Sequence, residues 1–280
     1  MRVHLLGVRG STPCPGEDFV IVGGHTSCVA IAHDGAAPSL VLDAGTGLRL
    51  LAGLLDGAPF RGSLLLGHLH WDHTQGLPFC RAMDHPDAST RLLLPAQGGN
   101  AAAVLARGMS PPHFPIEPSE LQGDWRIEGL EPGWCELEGF RVLAAEIPHK
   151  GGRTFGFRVE DGSSSIAYLS DHAPQQFGAG PDGIGEYHEA ACALAEGVDV
   201  LIHDAQYTVA ELPTRGAFGH AAADYAAGLA AHVGARQVLL FHHDPARTDS
   251  QVFDVAADVA SRHPDSDIVV ARQGMVIDLA

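Results

Sequence analysis

Short apolar runs broken by glycine make up the first seventy residues. Val3–Leu6 predicts a strand ended by Gly7, and the breaker-rich Gly7–Pro13 predicts a loop. Cys28–His33 alternates loosely and Leu40–Leu42 is wholly apolar, so both read as strands, the second running into Asp43-Ala44-Gly45. Leucines at 48, 51 and 55 keep helical spacing, and Ser63–Leu66 is an apolar strand that stops at Gly67. Residues 74–135 are less regular. Leu92–Leu94 predicts a strand and Asn100–Arg107 a helix, while the prolines of Ser110–Pro115 exclude a helix interior and leave an ordered loop.

The pattern sharpens from Phe140. Phe140–Ala145, Thr154–Glu160 and Ser165–Leu169 predict strands, with Asp161-Gly162 as a turn. Ile184–Ala195 predicts a helix, Val198–Ile202 a buried strand, Ala221–Val233 a helix and Gln237–Phe241 a strand. Thr248–Arg262 predicts a helix capped by Asp249 or Ser250, and Asp267–Ala271 with Met275–Leu279 reads as a hairpin around Gln273-Gly274. Apolar strands alternating with helices predict sheets covered by helices. No Pro/Gly/Ser linker and no long internal repeat divides the chain. Residues 1–280 therefore read as one α/β domain with two similar halves, roughly 1–135 and 136–280.

Composition narrows the class. The 280 residues are 45% hydrophobic and 18% charged, enough for a sizeable core and unlike a disordered chain. The net charge is −17 and Lys150 is the single lysine. So acidic a body repels nucleic acid and anionic membrane over most of its surface, which disfavours nucleic acid as a partner. The five cysteines (Cys14, Cys28, Cys80, Cys135, Cys192) form no CxxC pair, and the odd number argues against a disulfide framework. The N-terminus lacks a signal-like apolar run, and no stretch approaches the ~18–20 apolar residues of a membrane span. The expectation is a cytoplasmic protein without a membrane partner.

Histidine is the outlier, with 17 in the chain. The densest group is Gly67-His68-Leu69-His70-Trp71-Asp72-His73, directly after an apolar strand. In extended chain, residues 68 and 70 project the same way and can converge on one ion. A tight turn can swing Asp72 and His73 towards another. Neutral imidazoles with a carboxylate suit a borderline divalent cation such as zinc, with manganese or iron as alternatives.

His68–His73 matches the HxHxDH signature of the metallo-β-lactamase superfamily, and the resemblance continues in order along nearly the whole chain. Asp43 resembles the superfamily's aspartate behind the ligands. His149 in Ile147-Pro148-His149 is similar to the third ligand histidine, Asp171 in Leu169-Ser170-Asp171 to the carboxylate shared by two metals, and His242 to the last ligand. Within the superfamily the chain resembles the phosphodiesterase branch that includes ribonuclease Z. The shared features are Gly7–Ser11, Gly23–Cys28, an aspartate at 171, and Gly219-His220 opening a helix. His25 stands where asparagine is more usual, Lys150 where proline is commoner, and Gly67 where threonine or serine is.

The resemblance implies a four-layer αββα sandwich of two mixed sheets flanked by helices. It also implies two divalent ions per chain, one held by His68, His70 and His149, the other by Asp72, His73 and His242, with Asp171 touching both. Attack by a metal-bridging hydroxide on a small or cyclic nucleotide phosphodiester is the implied reaction. Asp72 and His220 are the candidate catalytic groups, His220 as the acid near a helix N-terminus. Asp204 is a candidate acceptor behind a ligand imidazole. Lys150 and Arg153, in the glycine-rich loop after His149, are candidates for a substrate phosphate, as is Arg9 more remotely. His113, Phe114 and Trp125 are candidates for a pocket mouth, His243 reads as a bystander, and His172 and His188 receive no role. Three alternatives stay open: tRNA 3′-processing of the ribonuclease Z kind, hydrolysis of a carboxylic ester, lactone or thioester, and a binding protein that holds metal without turnover. A homodimer is also left open, since dimers are common among relatives.

Overall fold

Two seven-stranded sheets meet face to face in the middle of the molecule, and helices cover both outer faces. The structure, a computed structural model, describes residues 1–279. The first sheet carries, in chain order, β1 (Arg2–Gly7), β2 (Cys28–Ala32), β3 (Leu40–Leu42), β4 (Arg61–Leu65), β5 (Ser89–Pro95) and β6 (Asp124–Leu130). The second carries β7 (Gly133–Leu137), β8 (Phe140–Ile147), β9 (Thr154–Glu160), β10 (Ser165–Leu169), β11 (Val200–Asp204), β12 (Gln237–Phe241) and β13 (Asp267–Val270). The last strand, β14 (Val276–Asp278), returns to the first sheet and lies antiparallel to β1. Each sheet is antiparallel in its first part and parallel in its second, the change falling at β3 in one and β10 in the other. This is the αββα sandwich that the resemblance implies.

The side-chain period explains the layers. On β2, Val29 and Ile31 enter the core between the sheets while Cys28 and Ala30 face the outer helical layer. Phe157 and Val159 on β9, Tyr168 on β10 and Phe241 on β12 complete the shared core from the other side. The helices are, in chain order, α1 (Leu51–Leu54), α2 (Trp71–Thr74), α3 (Ala101–Ala106), α4 (Glu189–Ala195), α5 (Leu212–Arg215), α6 (Ala223–Val233) and α7 (Asp249–Arg262). Outside the second sheet α4 and α6 bury Leu194, Tyr225 and Leu229 against Leu169, Leu201 and Leu240. Outside the first, Leu48, Leu51 and Leu105 cover Val41, Leu64 and Leu92. Because both sheets feed one core, we read the chain as one domain; the strand order divides it between Leu130 and Gly133.

Three local expectations are corrected. Asp267–Ala271 and Met275–Leu279 do not form a hairpin: β13 is the parallel edge of the second sheet, and the chain crosses at Gln273-Gly274 to the first. Residues 184–188 precede their helix rather than belonging to it, since Gly185 sits at φ 138 and His188 caps α4 by accepting from the Ala191 N–H. Thr248, not Asp249 or Ser250, caps α7 (Asp249–Arg262) and closes a capping box with Gln251. Asp249 is instead buried and paired with Arg9 at 2.8 Å. Strands β6 and β7 escaped the sequence pattern because they are only half covered and carry no clean alternation. Among the described residues no helix is long and apolar enough to cross a membrane.

Candidate metal centre

The C-terminal ends of β3, β4, β10, β11 and β12 open onto one edge of the sandwich, where parallel strands deliver polar residues from buried apolar runs. Asp43 follows β3, His68 follows β4, Asp171 follows β10, Asp204 ends β11 and His242 follows β12. Asp43 and His242 both adopt left-handed backbone, at φ 61 and 55. That is an uncommon conformation for either residue, and it turns the chain sharply at the point where the side chain must leave the strand. Trp71–Thr74 forms a single helical turn, α2, which carries Asp72 and His73 inward.

Two nests of donors result. His68, His70, His149 and Asp171 form one, Asp72, His73, Asp171 and His242 the other, each with its ligand atoms within 4.8 Å of one another. Asp171 divides its oxygens between them. Its Oδ2 faces His149 Nε2 at 3.4 Å and His68 Nε2 at 3.6 Å, whereas Oδ1 faces His73 Nε2 at 2.9 Å and His242 Nε2 at 3.1 Å. Asp72 Oδ2 closes the second nest, 3.2 Å from His242 Nε2 and 3.3 Å from His73 Nε2.

The outer partners settle which imidazole nitrogen faces the nests. His73 Nδ1–H donates to Asp43 Oδ2 at 2.7 Å, His242 Nδ1–H to Gln206 Oε1 at 3.0 Å, and His149 Nδ1–H to the Gly219 carbonyl at 2.7 Å. With Nδ1 so engaged, Nε2 is the atom of each ring that faces the nest and would meet a cation there. Asp43 is itself fixed by the Gly67 N–H and the Tyr168 hydroxyl, at 2.7 and 2.8 Å. His68 Nε2, His73 Nε2 and Asp171 Oδ1 are buried with no hydrogen-bond partner. Buried lone pairs gathered around a shared carboxylate are costly unless cations lie between them, so the donor set fits divalent metal ions. Small residues make the approach: a side chain on Gly10 would reach within 2.5 Å of the His242 ring.

The electrostatics divide the nests. Burial first, then the neighbouring imidazoles, lower the pKa of His68, and burial likewise lowers His70 and His149, keeping lone pairs free. At His73 burial is outweighed by the carboxylates of Asp171, Asp72 and Asp43, which raise the pKa well above the usual imidazole value, so that without a cation a proton takes its place there. Burial alone raises Asp72 and Asp171, but the facing histidines reverse it and hold both carboxyls far below the usual range. His220 stands apart. Burial pushes it down, yet Asp204, with Asp171 and Asp72 beyond, raises it to about 8. Its Nδ1–H donates to Asp204 Oδ2 at 2.9 Å, while the ring lines a cleft of about 360 Å³ with His70, Trp71, Asp72 and Asp171.

Other sequence candidates are redistributed. Asp204 orients His220, not a ligand imidazole, and also accepts from the His172 and Gln206 N–H groups. Arg153 is held by Glu146, Glu131 and the Ala96 carbonyl, so its charge is already matched within the chain, and it lines the larger cavity beside the metal cleft. Arg9 is fully buried, bound to Asp249 and the Gly23 and Arg247 carbonyls, and is scaffold. Lys150 is exposed, its Nζ 3.4 Å from the Ala217 carbonyl, and lines neither the metal cleft nor the larger cavity. His113 and Phe114 line a larger cavity; Trp125 lies outside it and donates to the Gln122 carbonyl. His243 is buried, with Nε2 3.0 Å from the Ala271 carbonyl. Sequence reasoning missed Gln206, Tyr168 and Ser11, whose N–H donates to Asp72 Oδ2 at 2.7 Å. The Gly7–Ser11 segment was the one available signal for Ser11.

His188, His172 and His203 form a buried relay of imidazoles. His203 Nδ1–H donates to the Asp204 carbonyl, His172 Nδ1–H to His203 Nε2 at 2.9 Å, and His188 Nε2–H to His172 Nε2 at 2.7 Å. The Ala191 N–H fixes the far end on His188 Nδ1, so all three rings are neutral, His203 and His172 carrying the proton on Nδ1 and His188 on Nε2. Burial lowers the pKa of all three, His188 to about 4, and takes His243 to about 3. An unfolded chain binds these protons near pH 6.5 and the fold refuses them until well below it. Stability present above pH 6.5 is therefore lost as the pH falls towards 4, at about 1.4 kcal/mol per pH unit for each ring affected. Thermal melts of chelator-treated protein should drop by about 10–20 °C between pH 7 and pH 5. A flat profile would refute the neutral relay.

Fold and site together define a metal-dependent hydrolase. Residues 40–243 match the model of the beta-lactamase superfamily domain, and the chain belongs to that superfamily. The chain is similar to Ribonuclease Z of Exiguobacterium sibiricum, 25% identical over 256 residues, covering 77% of this chain and 81% of that one. Among solved structures it resembles the metallo-beta-lactamase fold protein YhfI from Bacillus subtilis, with TM-score 0.72 and 16% identity over 99% of both chains. It also resembles a diphosphatase of the PhnP family, with TM-score 0.70 and 18% identity over 100% and 98%. These two likenesses are of fold.

Proposed function

We propose that the chain hydrolyses a small phosphodiester, of the cyclic or linear nucleotide kind, with two divalent ions, zinc foremost. One observation carries the reading: Asp171 offers one oxygen to each nest, and the imidazole of His220 stands 3.8 Å from that carboxylate in the lining of the same cleft. His68, His70 and His149 would hold one ion and Asp72, His73 and His242 the other, with Asp171 common to both. When bound, such ions supply Lewis-acid stabilisation of phosphoryl oxygens and lower the pKa of coordinated water.

The remaining work falls to the chain. Asp43, Gln206 and the Gly219 carbonyl fix the ring orientations of His73, His242 and His149. Asp72 stays ionised across neutral pH, anchored by the Ser11 N–H. Asp204 holds the proton on His220, leaving Nε2–H to protonate the departing alkoxide. Lys150, the exposed cation next in sequence to His149, would meet the remaining charge of a diester.

The ribonuclease Z relatives favour a second reading, cleavage of a tRNA precursor at the same centre. A body of net charge −17 counts against extended RNA contacts. Competition between a 2′,3′-cyclic mononucleotide and a tRNA precursor in one assay separates the two. Turnover of the mononucleotide supports the first reading; hydrolysis confined to the precursor supports the second.

A further inference from the structure

A larger cavity of about 730 Å³ adjoins the metal cleft. Leu69 and Trp71 line both, so Trp71 is the partition between them. Beyond it the walls are mainly apolar and aromatic, with Thr74, Gln97, His113 and Arg153 among them. Phe79 and Phe114 meet edge to face at 6.0 Å, with Val104 and Met109 supplied by the segment after β5. Trp71 is 77% exposed and Phe79 62%, an unusual burden for rings that could have turned inward. No carboxylate lines this space among the described residues, although the chain has 34 acidic groups. Arg107 is at the wall, and Gln75 adds an amide.

We infer that this cavity takes a planar aromatic substituent, of the nucleobase type, attached to the phosphate that lies in the metal cleft. The inference deepens the phosphodiester reading and rests on it. Exposed aromatic rings beside a polar centre stack on any flat π-face, and a volume of this size holds a base with its sugar. The absence of carboxylates keeps the wall from repelling a group carried by an anion, and Arg107 favours it further. Trp71 is then a positioning residue, bordering the cation nests on one side and the aromatic group on the other.

The test has two arms, both on metal-replenished full-length protein. In a Trp125→Phe, Trp134→Phe background the fluorescence of Trp71 reports binding of AMP and of ribose 5-phosphate. AMP should quench it and bind about tenfold tighter than ribose 5-phosphate, with Phe79→Ala and Phe114→Ala each closing most of that gap. Equal affinities, or a gap that both variants leave intact, would overturn the inference. The second arm compares turnover of bis(4-nitrophenyl) phosphate with that of methyl 4-nitrophenyl phosphate, which share a leaving group. A preference in kcat/KM for the diaryl ester that shrinks towards one in the same variants supports the cavity. Failure to hydrolyse either diester, with AMP binding still dependent on Phe79 and Phe114, would remove the phosphodiester reading and leave the cavity. Hydrolysis of both without any preference would remove the cavity alone.

Discussion

Replacing Asp171 by alanine should abolish activity and strip the protein of metal. Both oxygens of this carboxylate are engaged, one towards each nest, and the residue is 3% exposed. Without it, His68, His70 and His149 face one another with no negative charge among them, and the other nest keeps Asp72 as its only carboxylate. Imidazoles alone can still bind an ion, but loosely, and the link between the two sites is gone. The expected loss in kcat/KM on an activated diester is at least about 10³-fold. Elemental analysis after dialysis should find less than half the wild-type metal. Asp171→Asn should fall between the two, since it keeps an oxygen donor and loses the charge. Full metal and full activity in Asp171→Ala would contradict the division of its oxygens.

His220→Ala should lower kcat by about 10²–10⁴-fold while metal content stays at the wild-type level. The effect should depend on the leaving group. An alkoxide such as a ribose oxygen needs the proton, whereas 4-nitrophenolate departs readily without one, so the loss should be much smaller on the activated ester. The pH profile has a definite sign. His220 must be protonated to act as an acid, and Asp204 raises its pKa to about 8, so wild-type kcat should fall as pH rises through that value. Asp204→Asn removes the charge that retains the proton and should move this alkaline limb to lower pH. A variant that loses activity equally on both leaving groups, with an unshifted limb, would assign His220 a structural role instead.

How much of this could be read from the chain depends on how local each signal is. The run from His68 to His73 is contiguous, so its donors are close whatever the rest of the chain does, and only their orientation depends on distant partners such as Asp43 and Ser11. Asp43, His149, Asp171 and His242 were reached through the superfamily resemblance, and each follows a strand end, of a buried strand or, for His149, of the alternating strand β8. Gln206 was not legible, because its role exists only once β11 and β12 lie side by side. The imidazole relay was hidden likewise: His172, His188 and His203 come from three separate segments and carry no spacing signal. Asp204 was placed near the site but given the wrong neighbour, since nothing in sequence says whether it points to His220 or to a ligand. Arg153 shows the opposite limit. Its position in a glycine-rich loop suggested a phosphate, and only the fold reveals Glu131 and Glu146 beside it. The fate of β14 is a matter of topology, which a turn at Gln273-Gly274 does not disclose.

The most direct test of the paired centre is anomalous diffraction from crystals of metal-replenished protein, supported by elemental analysis of the same sample. Two peaks on opposite sides of the Asp171 carboxylate, about 3.5–4 Å apart, are expected, one bounded by His68, His70 and His149, the other by Asp72, His73 and His242. A single peak, or two that leave Asp171 uncoordinated, would contradict the account.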